Sequence, residues 1–509
     1  MRARAALARS GWLIAFAAAY FYVFPWFPAI KSANELPRVY LTRAMVAEHT
    51  FAIDTDARRW GTTGDMSPHA GHTYSNKSPG SSMLAAPAYA VTRALVGEPS
   101  LPTAVWVCRV FAGIVPALAF LWLLYGYLAR FAPDPAVRRL VLVAYGLGSL
   151  ALTYAILFYS HQLSAVCIGS AWILAHDVLD RKRGLRAMAV AGVLAGCAPL
   201  ADYQAAFAGI PVAIWVVVRL AGWPRAEALR VVGVAAAGAA VPVAILLGYH
   251  WAAFGSPLTT GYGLSETYAG IHAQGFLGMT WPHAGALVGT TITVDNGLFA
   301  LSPWVLIAIP GTATLWRAGE RGTAVVGAAA AVLFLLFVSS LAMWRAGWEV
   351  GPRYITVMLP FLLPAVAAQL AAWRGRPTAL AVACGAVVIG VAIYTLALAT
   401  FPYWPAQPAS SWPFPNPLYS VTLRLLGDGL CAPNVASGLG LTGLGGLVPF
   451  AALIGWLAGG AVVRVAGWRG LGVAAAIAVA VIGAYGLVPR GPAADHAYAT
   501  VVRPAFEQR

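Results

Sequence analysis

Long apolar runs alternate with short polar connections along the whole chain. A hydrocarbon core of about 30 Å requires about 20 apolar residues per helix, and about thirteen runs reach or approach that length. The pattern therefore predicts an all-α polytopic membrane protein with about thirteen transmembrane helices. The runs cover residues 11–30, 103–129, 139–158, 163–179, 187–201, 205–220, 231–250, 298–315, 323–343, 355–372, 378–399, 444–463 and 471–488.

The composition agrees with a membrane protein and excludes two other classes. Apolar and aromatic residues make up 60% of the 509 residues and charged residues only 10%, whereas soluble domains carry about 25% charged residues. The net charge of +15 would suit a nucleic-acid-binding protein, but the basic residues stand singly at the ends of apolar runs. We therefore expect the lipid bilayer as a partner and no nucleic acid.

The positions of the basic residues predict the orientation of the chain. With a cytoplasmic N-terminus, nineteen of the 33 Lys and Arg residues fall on short connections on the cytoplasmic side, as the positive-inside rule requires. Abundant Ala, Gly and Arg are typical of a GC-rich bacterial genome, so we expect a multi-pass protein of the bacterial plasma (inner) membrane. A cleaved signal peptide is the alternative for the first run, but no clean small-x-small cleavage site follows it.

The sequence indicates a single transmembrane domain over residues 1–488 and a short polar tail at 489–509. Long loops are usually functional, so we expect the chemistry on the periplasmic or extracellular face, where the longest connections lie. In the first of them, apolar periodicity predicts two amphipathic interfacial helices, at 36–47 and 81–96. The three extended outside segments are 31–102, 251–297 and 400–443.

The cysteine and histidine spacing does not predict a disulfide framework or a metal site. The five cysteines lie far apart, mostly within apolar runs, where a free thiol packs as a small apolar side chain. His69 and His72 have the spacing of ligands on one helical turn, but Pro68 and Gly71 disfavour a helix there. We predict no cofactor, and a divalent metal is the alternative.

Short sequence motifs occur in the first outside loop and in three later segments. The first loop has the order acidic pair, arginine, then Gly-x-x-Tyr-x-x-Lys-x-Pro, with asparagine in place of the first acid. The residues are Asn34-Glu35, Arg38, Gly71, Tyr74, Lys77 and Pro79, and the later segments are 254–258 with 261–262, 297–299 with 302–304, and Trp344 with 351–354. The set resembles the GT-C superfamily of integral membrane glycosyltransferases, in particular the branch of lipid A aminoarabinose transferases and protein O-mannosyltransferases.

This resemblance implies an enzyme that moves a sugar from a polyprenyl-phosphate carrier to a lipid, glycan or protein acceptor on the non-cytoplasmic face. The relatives carry an aspartate where this chain has Asn34, and asparagine cannot act as a base. Two alternatives stay open: a lipid-linked sugar transporter or flippase, and an inactive relative that binds lipid-linked sugar. We find no internal repeat of the kind common in transporters, which favours the enzyme.

Sugar transfer from a lipid phosphate requires a carboxylate to take the acceptor proton and cations to hold the leaving phosphate. For the carboxylate we predict Glu35, followed by Asp54 and Asp56; the alternative role of Glu35 is capping or salt bridging at a helix start near Arg38. The resemblance predicts three residues that bind the phosphate or the donor, and an arginine at the outer end of a helix is a further candidate. The three are Arg38, Lys77 and Tyr74, and the further candidate is Arg353.

Several other ionisable residues lie at or within the apolar runs. Arg109 lies inside the second run and needs a buried partner, for which the sequence points to an acid such as Asp202. His161, Asp202 and Glu349 fall at outside helix ends. Each is typical of an interfacial cap, and together they are expected to surround one cavity.

Overall fold

The structure is a computed structural model, which describes residues 2–405 and 416–507. Residues 406–415 of the predicted loop 400–443 and the last two residues of the predicted tail lie outside these ranges. The α-helices are Arg2–Tyr22, Leu36–Arg43, Asp54–Trp60, Gly80–Val96, Leu101–Arg109, Val115–Tyr127, Pro135–Gly146, Leu150–Ile156, Ser160–Leu179, Leu185–Ala201, Ala206–Leu220, Arg225–Phe254, Ala269–His272, Ala284–Thr291, Leu298–Leu301, Ala308–Arg317, Arg321–Ser340, Leu359–Ala372, Pro377–Ala399, Leu423–Gly427, Val435–Gly438, Val448–Tyr485, Pro492–Ala497 and Pro504–Glu507. Short 3₁₀ segments are Leu128–Arg130, Tyr203–Ala205, Gly261–Leu264, Pro303–Ile307, Arg353–Met358 and Gly443–Leu447, and π-helical turns are Ala44–Glu48, Val110–Ile114, Leu418–Thr422 and Tyr498–Val502.

The chain is a helical, multi-pass membrane protein. Among the described residues, eight helices are long and apolar enough to cross a membrane, or nine if the bent pair Pro135–Gly146 and Leu150–Ile156 is one span. The predicted count of about thirteen is thus not confirmed. The eight spans are Leu101–Arg130, Ser160–Leu179, Tyr203–Leu220, Arg225–Phe254, Arg321–Ser340, Arg353–Ala372, Pro377–Ala399 and Gly443–Tyr485.

The predicted and observed spans differ where a run is short or broken. Runs 11–30 and 187–201 contain only the shorter apolar helices Gly11–Tyr22 and Leu185–Ala201. Run 298–315 is divided into three short helical pieces near Pro303, since proline has no N–H group for a continuous helix. An apolar run therefore marks buried or membrane-facing chain without guaranteeing one straight helix.

The C-terminal part of the chain differs from the predicted pattern in its last segment. Runs 444–463 and 471–488 lie on one helical stretch that breaks at Gly467, whose φ of 73° and ψ of 177° are non-helical. The segment predicted as a polar tail is folded: Phe506 packs 4.8 Å from Phe27, measured between ring centres. It therefore packs against the residues that precede the first outside loop.

The first outside loop packs into an apolar cluster that it shares with the helices Leu101–Arg109 and Arg225–Phe254. It contains a hairpin in which Met66–His69 pairs antiparallel with His72–Ser75, a feature that the sequence analysis read only as non-helical. The prediction of an amphipathic interfacial helix at 36–47 is wrong in its surroundings, because all eight residues of the helix Leu36–Arg43 are buried. The helix Gly80–Val96 does keep exposed apolar side chains, including Leu95.

Candidate functional site

Two adjoining cavities lie between the first outside loop and the helix ends near Ser160, Asp202 and Arg353. One has a volume of about 280 Å³ and the other of about 260 Å³. A larger cavity of about 630 Å³, near Trp12 and Arg130, contains none of the predicted site residues in its wall. The residues common to the two adjoining cavities are Asn34, Lys77, Tyr262, His272, Arg353 and Tyr354.

Arg38 reaches the cavity of about 260 Å³ from the buried helix of the first loop. Its Nη1 group donates to the main-chain oxygen of Asn34 at 2.5 Å and to the Asn34 side-chain oxygen, and its Nε group donates to Ser160 Oγ at 3.0 Å. Burial lowers the pKa of Arg38, although arginine stays protonated. None of these partners is a carboxylate, so a bound anion would compensate the buried charge.

Lys77 lies between a carboxylate and an aromatic ring. Its Nζ atom is 2.9 Å from Asp65 Oδ2 and 5.2 Å from the centre of the Tyr262 ring. Burial, together with the charges of Arg38 and Arg353, lowers the pKa of Lys77 to about 8 against the opposing effect of Asp65. The ammonium group is therefore mostly charged at neutral pH and loses its proton in mild alkali.

The segment that follows Lys77 is fixed against the end of the helix Leu185–Ala201. The Ser78 hydroxyl lies 2.9 Å from the carbonyl oxygen of Pro199 and 2.6 Å from that of Leu200, both of which can accept its hydrogen bond. A Cβ atom on Gly80 would lie 2.5 Å from the Leu200 oxygen, so this approach requires glycine. The Lys-Ser-Pro-Gly motif thereby brings Lys77 to the cavity at this helix end.

Arg353 lines both cavities from the start of the segment Arg353–Met358. It pairs closely with Glu349, and its Cζ atom lies 5.5 Å from the Tyr159 ring centre and 5.2 Å from that of Tyr354. Its Nε group is buried without a hydrogen-bond partner among the described residues. Burial raises the pKa of Glu349 although Arg353 acts to lower it. The unpartnered Nε group of Arg353 can donate to a bound anion.

The cavity of about 260 Å³ is lined by charged side chains and by a set of apolar side chains, the apolar wall. Phe276 and Leu277, in the second outside loop, are 71% and 41% exposed, so the apolar wall continues onto the outer surface. An amphiphile with an anionic head and a hydrocarbon chain has the matching distribution of groups. The apolar wall consists of Ala206, Phe207, Phe276, Leu277, Met279, Phe337 and Leu341.

Glu35, the predicted base, takes part in a buried ion pair and lines neither cavity. Its carboxylate accepts hydrogen bonds at 2.8 Å each from Arg109 Nε and Nη2, at 2.7 Å from the Tyr403 hydroxyl and at 2.6 Å from the Phe158 N–H. Burial acts to raise the pKa of Glu35, but Arg109 and these hydrogen bonds bring it below its usual value. The geometry thus favours a structural role for Glu35, and it corrects the partner of Arg109 from Asp202 to Glu35.

The other two predicted carboxylates also take part in local structure. Asp54 accepts from the Thr73 N–H at 2.9 Å and lies 3.0 Å from His72 Nδ1, which ties a short helix to the hairpin. Asp56 is buried 3.0 Å from Arg43, and burial raises its pKa to about 7. Neither residue lines the two cavities.

The predicted donor-binding set separates into two groups. Arg38, Lys77 and Arg353 come together at the cavity of about 260 Å³. Tyr74 does not line it, because its ring packs 5.6 Å from the Phe254 ring, between centres. The assignment of Tyr74 to donor binding therefore has no support from its position.

Two of the expected helix-end residues do surround this cavity. His161 Nδ1 lies 2.5 Å from Asp202 Oδ2, and both residues are in the wall. Gln204 Nε2 also donates to Asp202 Oδ2 at 3.0 Å. Glu349 contributes indirectly, through its pairing with Arg353.

Aromatic wall residues and one carboxylate were missed by the sequence reasoning. Tyr268 and His272 come from the second outside loop, and Asp65 from the first. The ring of Tyr262 is brought over Lys77 because Gly261 packs against the backbone of Asn76, where a Cβ atom would lie 2.6 Å from Asn76 Cα. The Gly261-Tyr262 motif was a usable signal, whereas nothing local singled out Tyr268 or His272.

The described residues contain no group of three or more His, Cys, Asp or Glu side chains placed to hold a metal ion. His69 and His72 face each other across the turn of the hairpin, and the Nδ1 atom of His72 is engaged with Asp54. The expectation of no cofactor remains a prediction.

No family model matches the chain, and no curated protein matches it. Among solved structures it is similar to ArnT from Cupriavidus metallidurans bound to undecaprenyl phosphate, with 15% identity and a TM-score of 0.49 over 94% of this chain and 78% of that one. It is also similar to the archaeal oligosaccharyltransferase AglB from Archaeoglobus fulgidus, with 12% identity and a TM-score of 0.43 over 82% and 58%.

TM-scores below 0.5 carry no argument about activity or residue roles. The function is therefore inferred from the site itself.

Proposed function

We propose that the protein is a membrane glycosyltransferase that moves a sugar from a polyprenyl-phosphate carrier to a lipid, glycan or protein acceptor. The observation that carries the proposal is the meeting of Arg38, Lys77 and Arg353, all buried, at one cavity of about 260 Å³. Three cations in a desolvated site hold a phosphate and stabilise the charge that it gains as a leaving group.

The two-sided lining of the cavity supports a lipid phosphate rather than a soluble sugar nucleotide. The apolar wall, which includes Phe207 and Phe337, lies in the same cavity as the cations, so one ligand can satisfy both. Burial of a prenyl chain in such surroundings contributes about 0.8 kcal/mol of binding free energy per buried methylene group. A soluble nucleotide would leave the apolar wall and its exposed extension at Phe276 without a partner.

The proposal includes the bacterial plasma membrane as the location, with the N-terminus in the cytoplasm and the site on the opposite face. The basic residues on the short connections support this orientation. In that arrangement the carrier delivers the sugar from within the outer leaflet, and the acceptor reaches the site from the periplasmic or extracellular side.

A test separates transfer from transport by removing the bilayer. The purified protein, in detergent micelles, is incubated with the total lipids and membrane acceptors of a strain that lacks it, and glycoconjugates are compared by mass spectrometry. We expect a covalently glycosylated product with the wild-type protein. A transporter makes none in micelles, so the absence of product from a protein that binds undecaprenyl phosphate would contradict the proposal.

A matched pair of lysine variants ties the product to the site. Lys77→Met should lower the affinity for undecaprenyl phosphate by about 10-fold to 100-fold, since a hydrogen bond to a charged group contributes about 1.5–3 kcal/mol. Lys182→Met removes an exposed lysine outside both cavities and should leave binding and product unchanged.

A further inference from the structure

The carboxylates around the site differ in what already engages them. Among the described residues, Asp65 and Asp202 are the acids in the walls of the two cavities. Asp65 is paired with Lys77 at 2.9 Å. Glu35 and Glu349, close by, are paired with Arg109 and Arg353.

Asp202 is the exception, because no lysine or arginine among the described residues pairs with it. Its Oδ2 atom is engaged by His161 at 2.5 Å and by Gln204 at 3.0 Å. Its Oδ1 atom accepts no hydrogen bond from the described residues and is not among the fully buried unpartnered atoms. One oxygen of the carboxylate is thus held in place and the other is open.

The surroundings of Asp202 suit a proton acceptor next to a phosphate. It shares the cavity wall with Arg38, Lys77 and Arg353, so an acceptor hydroxyl beside a bound phosphate ester lies within the same small volume. Two side chains fix the rotamer of Asp202, which preserves its direction in the way that a general base requires.

We propose that Asp202 is the catalytic base of the transfer reaction, with His161 and Gln204 as its positioning residues. The inference rests on the proposed function and deepens it: the acceptor is a hydroxyl compound, and the chain supplies from a later segment the carboxylate that Asn34 cannot provide. In this proposal Glu35 has no catalytic role.

The step balances without an additional reactant. The acceptor oxygen attacks the anomeric carbon while its proton passes to Asp202 Oδ1. The bond from the anomeric carbon to the phosphate oxygen breaks, and its electron pair stays on that oxygen. The resulting polyprenyl phosphate carries the new charge, which Arg38, Lys77 and Arg353 stabilise, and Asp202 returns its proton to water.

The experiment compares Asp202→Asn with Asp65→Asn and Asp54→Asn in two assays, undecaprenyl phosphate binding and product formation from the lipids and acceptors of the deletion strain. We expect Asp202→Asn to reduce transfer by about 100-fold or more, as for loss of a general base, with binding of undecaprenyl phosphate retained. Asp65→Asn removes the partner of Lys77 and should change the affinity for undecaprenyl phosphate, whereas Asp54→Asn, outside both cavities, should leave transfer unchanged. Full transfer by Asp202→Asn would overturn the proposal, and a selective loss in Asp65→Asn would assign the base to Asp65.

The pH dependence of the transfer rate distinguishes a positioning role of His161 from a merely structural one. The wild-type transfer rate should fall at low pH as Asp202 becomes protonated, and His161→Gln should move that fall to higher pH, because a donor to the carboxylate is weakened. His176→Gln is the matched control, since His176 lies on the same helix and contacts Tyr127 outside the cavity. An unchanged profile in His161→Gln would contradict the positioning role.

Two readouts keep the proposal falsifiable if Asp202→Asn does not fold. Asp202→Glu retains a carboxylate and should transfer more than Asp202→Asn but less than the wild type, and the His161→Gln profile is independent of both. If the wild-type protein binds no undecaprenyl phosphate, the proposed function fails. If it binds and transfers and Asp202→Asn does the same, only the assignment of the base fails.

Discussion

Asn34 accepts hydrogen bonds from Arg38 with both its main-chain oxygen and its side-chain oxygen. The Arg38 Nη1 group donates to the main-chain oxygen of Asn34 at 2.5 Å and to its side-chain oxygen. An amide in this position orients the guanidinium without neutralising it, whereas an aspartate would form an ion pair. The asparagine that seemed to remove a catalytic group therefore preserves a positive charge facing the cavity.

Asn34→Asp should accordingly weaken phosphate binding. We expect the affinity for undecaprenyl phosphate to fall about tenfold, because the new carboxylate competes for Arg38, and transfer should not increase. Titration of the purified protein with undecaprenyl phosphate measures the effect. The control is Asn434→Asp, at a helix cap that lines neither cavity. A tenfold or greater gain in transfer would instead identify position 34 as the natural place of the base.

Lys77 should make the binding of a lipid phosphate sensitive to mild alkali. Its pKa is lowered to about 8 by burial, so the ammonium loses its proton as the pH rises through and above that value, while a phosphate monoester, with a second pKa of about 6, keeps its charge. Affinity for undecaprenyl phosphate should be constant below about pH 7 to 7.5 apart from phosphate ionisation and fall above pH 8. Lys77→Arg stays protonated, and a pH-dependent loss of affinity in that variant would exclude Lys77 as the cause.

The Glu35–Arg109 pair should contribute to stability. Glu35→Gln leaves the guanidinium without its carboxylate in a buried place, and removal of one partner of such a pair costs about 3–5 kcal/mol. We expect a clear fall in the thermal unfolding temperature in detergent. The double variant Glu35→Leu with Arg109→Met should unfold at a higher temperature than Glu35→Gln, because it leaves no unpaired charge. Equal stability of Glu35→Gln and the wild type would contradict the structural role.

Asp54 and Asp56 should be dispensable for transfer. Both engage residues of the first loop outside the cavities, so Asp54→Asn and Asp56→Asn should change the rate of transfer by less than about threefold. Product formation per mole of folded protein measures this. A 100-fold loss of transfer in either variant would instead place the catalytic base in the first loop.

The membrane character of the fold could be predicted because the apolar runs determine it locally. A break within a run is harder to predict: Pro303 lies where run 298–315 divides into short pieces. Gly467, by contrast, lies between runs 444–463 and 471–488, where the pattern already separates two helices. The hairpin at 66–75 was missed because its strands have four residues each, too few to establish an alternating pattern.

The site was only partly predictable because its roles depend on distant partners. Glu35 resembled a catalytic acid in its loop, but Arg109 lies 74 positions away and Tyr403 lies 368 positions away. Asp202 looked like a helix cap until its neighbours were known. The cations could be predicted at Arg38 and Lys77, since the motif around them is local.

The central claim is that Arg38, Lys77 and Arg353 hold the phosphate of a polyprenyl carrier. An electron cryomicroscopy structure of the protein with undecaprenyl phosphate tests it most directly. We predict phosphate density within hydrogen-bond distance of all three side chains and prenyl density along the apolar wall at Phe207 and Phe337. Phosphate density elsewhere, or a cavity that stays empty at saturating undecaprenyl phosphate, would contradict the account.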